Sequence, residues 1–287
     1  MPSGRRQWRA IAKAMYDRFG EVQVTDRAAA MTYYAVLSIF PGLLVVVSLL
    51  ALIGEYPQTY DSIIKTLRDA APGAAVDTID SALRSSLSNR GNAGALLGVG
   101  LLISLYSASG AVGTAMRSLE AINGEKTGRS FLPSLGVRVG LTMVLVLLIL
   151  IASLSVVVAG PVFGSIADAA GFPSFVKTLV GYMRWPVGAL ALLSAYCLLY
   201  ALGPREPPRG DDRSLKTVLP GAVLGTALWF VVSLGFTAYV SHFSSYDKTY
   251  GVLGAVISLL IWLWLGCLAF LLGALFNAES VRIRGGR

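Results

Sequence analysis

Long apolar runs alternate with short polar connections along most of this chain. Six of them, at residues 28–54, 93–115, 136–160, 185–203, 218–240 and 251–277, match the ~20 residues that a helix needs to cross the ~30 Å hydrocarbon layer of a bilayer. No Asp, Glu, Lys or Arg falls near the centre of any run. Backbone in lipid must satisfy its own hydrogen bonds, and the period-two alternation of a barrel strand is absent, so the runs predict helices. The expected fold is an all-α membrane protein with six transmembrane helices.

The flanking segments carry a different pattern. Trp8, Ile11, Ala12, Met15, Tyr16 and Phe19 recur at helical spacing, while Arg5, Arg6, Arg9, Lys13 and Arg18 occupy most of the remainder. Residues 1–27 therefore read as a cytoplasmic basic segment whose amphipathic helix lies on the inner leaflet. The adjoining apolar run is too long for a cleaved signal and lacks a small-residue cleavage site. In the 55–92 connection, Ile63, Ile64 and Leu67, then Val76, Ile79, Leu83 and Leu87, predict two short amphipathic helices broken at Pro72-Gly73. The transmembrane domain spans 28–279, and residues 280–287 form a basic tail.

Composition agrees: 55% of the residues are hydrophobic and 14% charged, against about a quarter charged in a soluble domain. The net charge of +8 raises nucleic acid or anionic lipid as a partner, and its distribution decides between them. Seventeen of the 24 lysines and arginines lie in the N-terminal segment, the 116–138 and 203–217 connections and the tail. The same segments hold nine of the 16 acids, so they carry the whole +8. Alternation of basic and neutral connections places both termini in the cytoplasm and the basic face against anionic lipids of the inner leaflet. Nucleic acid is not needed to account for it. Cys197 and Cys267 both lie inside apolar runs, where reduced thiols packed among helices are expected.

Candidate chemistry is sparse. Metal-dependent hydrolysis needs clustered His, Asp or Glu, and metal-free RNA cleavage needs an acid and a base. This chain has one histidine, scattered acids, no aromatic and basic platform for RNA and no nucleophile-elbow motif. No catalytic residue, metal ligand or cofactor site is expected. The central charge that a proton or sodium relay would use is missing as well.

What remains are path-like features. Pro41 interrupts the first span and reads either as a hinge lining a cavity or as a static kink. Ser104 and Ser107 belong to a small and polar stripe that ends at Thr114; it reads as tight packing, with a path lining as the alternative. Gly94 and Gly98, like Gly221 and Gly225, form GxxxG pairs that let helices approach closely. Trp262 and Trp264 sit near mid-span, where each indole N–H calls for a partner when buried; they read as lipid-facing or core packing, with the lining of a hydrophobic groove as the alternative. The polar stretch "YVSHFSSYDKTYG" joins the last two spans; His242, Tyr246, Asp247 and Lys248 could make an outer gate beyond serving as a turn. At the inner ends, Asp26, Arg27, Arg117, Glu120, Asn277 and Glu279 could pair across helices or simply anchor the interface. Pro133 and Pro220 suit the first turns of spans that start inside.

Four stretches together resemble the YihY/BrkB family of bacterial inner-membrane proteins over roughly residues 25–280. They are "AAAMTYYAVLSIFPGLLVVVSLLALIG" (28–54), "ISLYSASGAVGTAMRSLEAINGE" (103–125), "YALGPREPP" (200–208) and the segment 219–279 with its "SHF.SY...YG" turn and Trp-rich last helix. The resemblance implies a multi-pass inner-membrane protein, a link to virulence or envelope resistance in some relatives, and movement of lipids or other solutes. It also brings an old ribonuclease label that the residue inventory disfavours. The leading expectation is transport or export of a hydrophobic or amphipathic solute or lipid. The alternative is a scaffold that organises envelope components without transporting; an enzyme ranks third. Membrane lipids are the expected partners, with a homo-oligomer left open.

Overall fold

The computed structural model describes residues 4–53, 93–125, 131–157, 173–204, 215–242 and 247–285, all helices and their short turns, with no strand among them. The helices are α1 (Gly4–Glu21), α2 (Val24–Ile53), α3 (Ala93–Asn123), α4 (Phe131–Val157), α5 (Ser174–Leu202), α6 (Leu215–His242) and α7 (Asp247–Gly285). Among the described residues, three stretches are long and apolar enough to cross a membrane, Gly181–Leu202, Leu215–Tyr239 and Val256–Arg284, and Leu135–Ile149 is a shorter apolar one. The amphipathic helices expected within 55–92 lie outside the described residues.

From α2 to α7 each helix packs on the next, and α7 returns against α2 to close the circuit, with α3 also touching α5 and α7. Among the residues whose side chains are described, the buried core of α2 to α7 falls in one half of each helix. It includes Val24 and Ala28 of α2, Leu119 and Ile122 of α3, Leu141 of α4, Leu199 and Tyr200 of α5, Val218 and Ala222 of α6, and Leu271 and Leu275 of α7. These halves gather where α1 docks, a region called here the α1 end.

The α1 helix follows its apolar stripe with one difference. Ile11 is buried, and Met15 and Phe19 pack on the core, because α1 lies against α7. Trp8 stacks on Phe276 with centroids 5.6 Å apart, yet stays largely exposed, as do Ala12 and Tyr16. The apolar stripe is thus divided between protein contact and an outward face. A two-residue turn joins α1 to α2. Gln23 takes the left-handed conformation there (φ 52°), and the Arg27 Nε donates to the Val22 carbonyl at 2.7 Å, satisfying an acceptor that the end of α1 leaves free.

Several helices outrun their apolar runs. α3 continues to Asn123, α7 to Gly285, and α5 begins at Ser174 with Pro186 inside it. Pro133 does sit in the first turn of α4. Pro220, however, is the sixth residue of α6, inside the helix. The helix is steadied at that point by Asn277, whose Nδ2 donates to the Val218 carbonyl (2.8 Å) while its Oδ1 accepts from the Gly221 N–H (2.7 Å).

Candidate functional site

Two features stand out: a tightly clamped α1 end and an apolar cleft on the flank of the bundle. The clamp begins with glycine. Gly221 of α6 and Gly273 of α7 approach so closely that a Cβ on either would strike the carbonyl oxygen of the other. Gly225 takes up the next turn against Tyr196 and the Ala269 carbonyl. This is how small residues bring two helix backbones together, and Asn277 then ties α7 to α6 by two hydrogen bonds from a buried position. Tyr196, Tyr200 and Phe270 stack around this contact, and the Tyr200 hydroxyl donates to the Phe270 carbonyl.

A charged knot lies beyond it. Glu279 is buried, with 4% of its surface exposed, and its Oε1 is 3.1 Å from Arg18 Nε of α1 and 3.2 Å from an Arg282 Nη. Arg18 also donates to the Ile122 carbonyl (3.1 Å), and Arg282 reaches the Asn123 carbonyl at 3.5 Å. Both carbonyls belong to the last turn of α3, the negative end of its macrodipole, where cations are stabilised. Gly124 ends α3 at φ 75°. The knot joins α1, α3 and α7; it contains no candidate acid and base pair. No group of three or more His, Cys, Asp or Glu suited to a metal occurs among the described residues.

The cleft lies between α4, α5 and α6, with a volume of about 310 Å³. Leu148 and Ile149 of α4, Trp229 and Phe230 of α6, and Trp185 of α5 form its walls. Gly188, Ala189, Ala191 and Ala195 of α5 leave the space open because their side chains are small. Ile149 and Trp185 are both about three-fifths exposed, at 63% and 59%, so the cleft opens sideways on the bundle's flank. No charged residue lines it. Its chemistry suits a hydrocarbon chain.

Among the described residues, none of those singled out in the sequence lines the cleft. α2 runs as unbroken helix through Pro41, and Ser104 and Ser107 lie within α3, but the side chains of these three lie outside the description. The same holds for His242, Asp247 and Lys248 at the helix ends, and Tyr246 lies outside the described residues altogether. Trp262 comes nearest. Its ring meets Trp229 edge to face at 5.9 Å, and its N–H donates to the Ser233 hydroxyl at 3.2 Å. The Trp264 N–H points to the Thr25 carbonyl at 3.3 Å.

At the other end of the stripe, Ser109 and Thr114 are buried and bond back to carbonyls of their own helix, while Gly110 lies against the Tyr34 ring. Cys197 and Cys267 are unpaired thiols packed against the core.

Of the six candidates at the inner ends, Asn277 and Glu279 form the clamp. Glu120 is buried on α3, whereas Asp26 and Arg117 are exposed and bonded to Thr25 and Thr114. Arg27 caps α1. The sequence reading counted Arg18 only as part of the polar side of the amphipathic segment and passed over Trp185 and Trp229. The run of small residues after Trp185 ("PVGALALLSA", 186–195) was the available sign of the cleft.

Comparison with known proteins places the chain more firmly. A family model described as virulence factor BrkB matches residues 15–286. The ribonuclease-like protein YfkH of Bacillus subtilis (strain 168) is 31% identical over 269 residues, covering 94% of each chain. A UPF0761 membrane protein of Aliivibrio salmonicida (strain LFI1238) is 29% identical, over 90% of this chain and 78% of that one. A UPF0761 membrane protein of Xanthomonas oryzae pv. oryzae is longer: the chain matches 61% of it at 26% identity. No solved structure matches.

Proposed function

Because this chain belongs to the virulence factor BrkB family, alongside UPF0761 membrane proteins, we propose that it is a six-span bacterial inner-membrane protein that moves a hydrophobic or amphipathic solute, of which a lipid is the prime case. Two observations support the topology. The buried core residues alternate between the starts and the ends of successive helices from α2 to α7, and the apolar flanks of α4 to α7 carry many exposed large side chains such as Met143, Leu147, Leu190, Val231, Leu234 and Ile261. Both termini then lie in the cytoplasm, as the excess of positive charge favours.

The sideways apolar cleft is the observation that carries the transport reading. A polar solute crossing through a central channel would need polar lining; a lipid chain sliding along the flank needs an opening to the bilayer and no charge. The test is reconstitution of the full chain into liposomes with a fluorescent phospholipid-scrambling assay. The Gly188→Phe variant, which fills the cleft from an open position (nothing lies within 4 Å of a Cβ there), should slow scrambling about fivefold or more while elution and melting stay unchanged; a fivefold loss is about 1 kcal/mol. Unaltered scrambling by that variant refutes the cleft as the path. If the wild-type chain moves no lipid, the scaffold reading takes over.

A further inference from the structure

The outward edge of α1 is uncovered among the described residues. α1 packs on α7 and does not fold back along α2. Trp8 meets Phe276 and Arg18 meets Glu279, so about 15 Å of α1 rests on about 4.5 Å of α7. The helix is therefore laid across the end of α7. In the six-span topology α7 crosses the membrane, which puts α1 close to the membrane plane.

The order of side chains round α1 is informative, each residue turning the helix by about 100°. Ile11, Met15 and Phe19 face the core. Next round the helix come Trp8, Ala12 and Tyr16, all exposed, Trp8 at 64% and Tyr16 at 83%. Arg9 and Lys13 follow, also exposed, and Asp17 and Glu21 lie beyond them. The ion pairs found among the described residues are both made to Glu279, and neither uses Arg9 or Lys13. An aromatic strip bordered by free cations, with the acids on the far side, complements an anionic bilayer surface. Trp and Tyr rings favour the headgroup level, and each Lys or Arg near such a surface adds attraction.

We propose that this edge of α1 binds the anionic surface of the inner leaflet, with Trp8 and Tyr16 seated among the headgroups and Arg9 and Lys13 against their phosphates. The rest of the apolar stripe stays out of lipid, because Ile11, Met15 and Phe19 are committed to the core. α1 thus holds lipid with one edge and, through Arg18, the ends of α3 and α7 with the other. The choice of leaflet rests on the topology proposed above; nothing here rests on transport.

The test places the full chain, with Cys197 and Cys267 replaced by Ala, in phospholipid nanodiscs containing phosphatidylglycerol. An environment-sensitive fluorophore is attached at Tyr16→Cys or, in parallel, at Asp17→Cys. Lipid spin-labelled at headgroup level should quench the probe at 16 about threefold or more over the probe at 17, which aqueous iodide should quench instead. Arg9→Gln combined with Lys13→Gln should cut the preference for spin-labelled phosphatidylglycerol over spin-labelled phosphatidylcholine about fivefold or more. Both side chains are exposed, so elution and melting should not change. Equal lipid quenching at the two positions overturns the proposal, as does iodide quenching at both. Shielding of position 16 from both quenchers also overturns it, in favour of a protein cover such as a second copy. A double variant that keeps the preference removes the anionic headgroup as the partner. The disc readings need no flux, so a chain that scrambles no lipid leaves them standing. An inverted chain in intact cells would overturn the leaflet assignment alone.

Discussion

Glu279 shows how one side chain can settle the standing of two others. Its carboxylate is the shared counter-ion of Arg18 and Arg282, and Glu279→Gln leaves two cations facing each other at the end of α3. Breaking a fully buried pair costs ~3–5 kcal/mol. Arg18 and Arg282 keep 18% and 36% of their side-chain surface in contact with solvent, so a loss of about 2 kcal/mol is the expectation. Thermal unfolding in detergent should register it as a fall in Tm of roughly 4–8 °C. Asn277→Ala should cost about as much, since it strips partners from a buried N–H and a buried carbonyl of α6 at once; the same melting assay checks it. Both residues were legible in the sequence as polar groups at the end of an apolar run. The part played by Arg18 was not, because spacing along one helix does not report a charged neighbour on another.

At the scale of elements, glycine spacing decides which helices touch. Gly221→Ala should drive a methyl group into the Gly273 carbonyl and force α6 from α7, a loss of about 2–3 kcal/mol or failure to accumulate in the membrane. Gly235, on the same helix, has nothing within 4 Å of where a Cβ would stand; Gly235→Ala should gain ~0.5–1 kcal/mol by helix propensity alone. A pair of melting curves with opposite shifts would confirm that contact, and not glycine itself, is the determinant. The GxxxG at 221–225 was readable, but its partner was not, since Gly273 lies in a different helix and spacing along one chain does not report a neighbour. Existence and type of the long helices were clear from unbroken apolar runs. Their ends were not. α3 and α7 continue into polar sequence because the Glu279 knot holds those turns after hydropathy has fallen away.

For the whole molecule, the proposed topology makes a labelling prediction. In a background where Cys197 and Cys267 are replaced by Ser, an impermeant thiol reagent applied outside intact cells should label Tyr246→Cys and spare Gly124→Cys. The reverse pattern would invert the protein. Among the described residues the packed core sits toward the α1 end, and α7 supplies its largest share, touching α1, α2, α3 and α6. α7 is also the last of the seven helices to leave the ribosome. Until it is released, the membrane holds earlier spans whose mating surfaces have no occupant, exposed to quality-control proteases. Biogenesis therefore turns on a single late event, and any delay in delivering the final span should lengthen the window in which the nascent chain is destroyed.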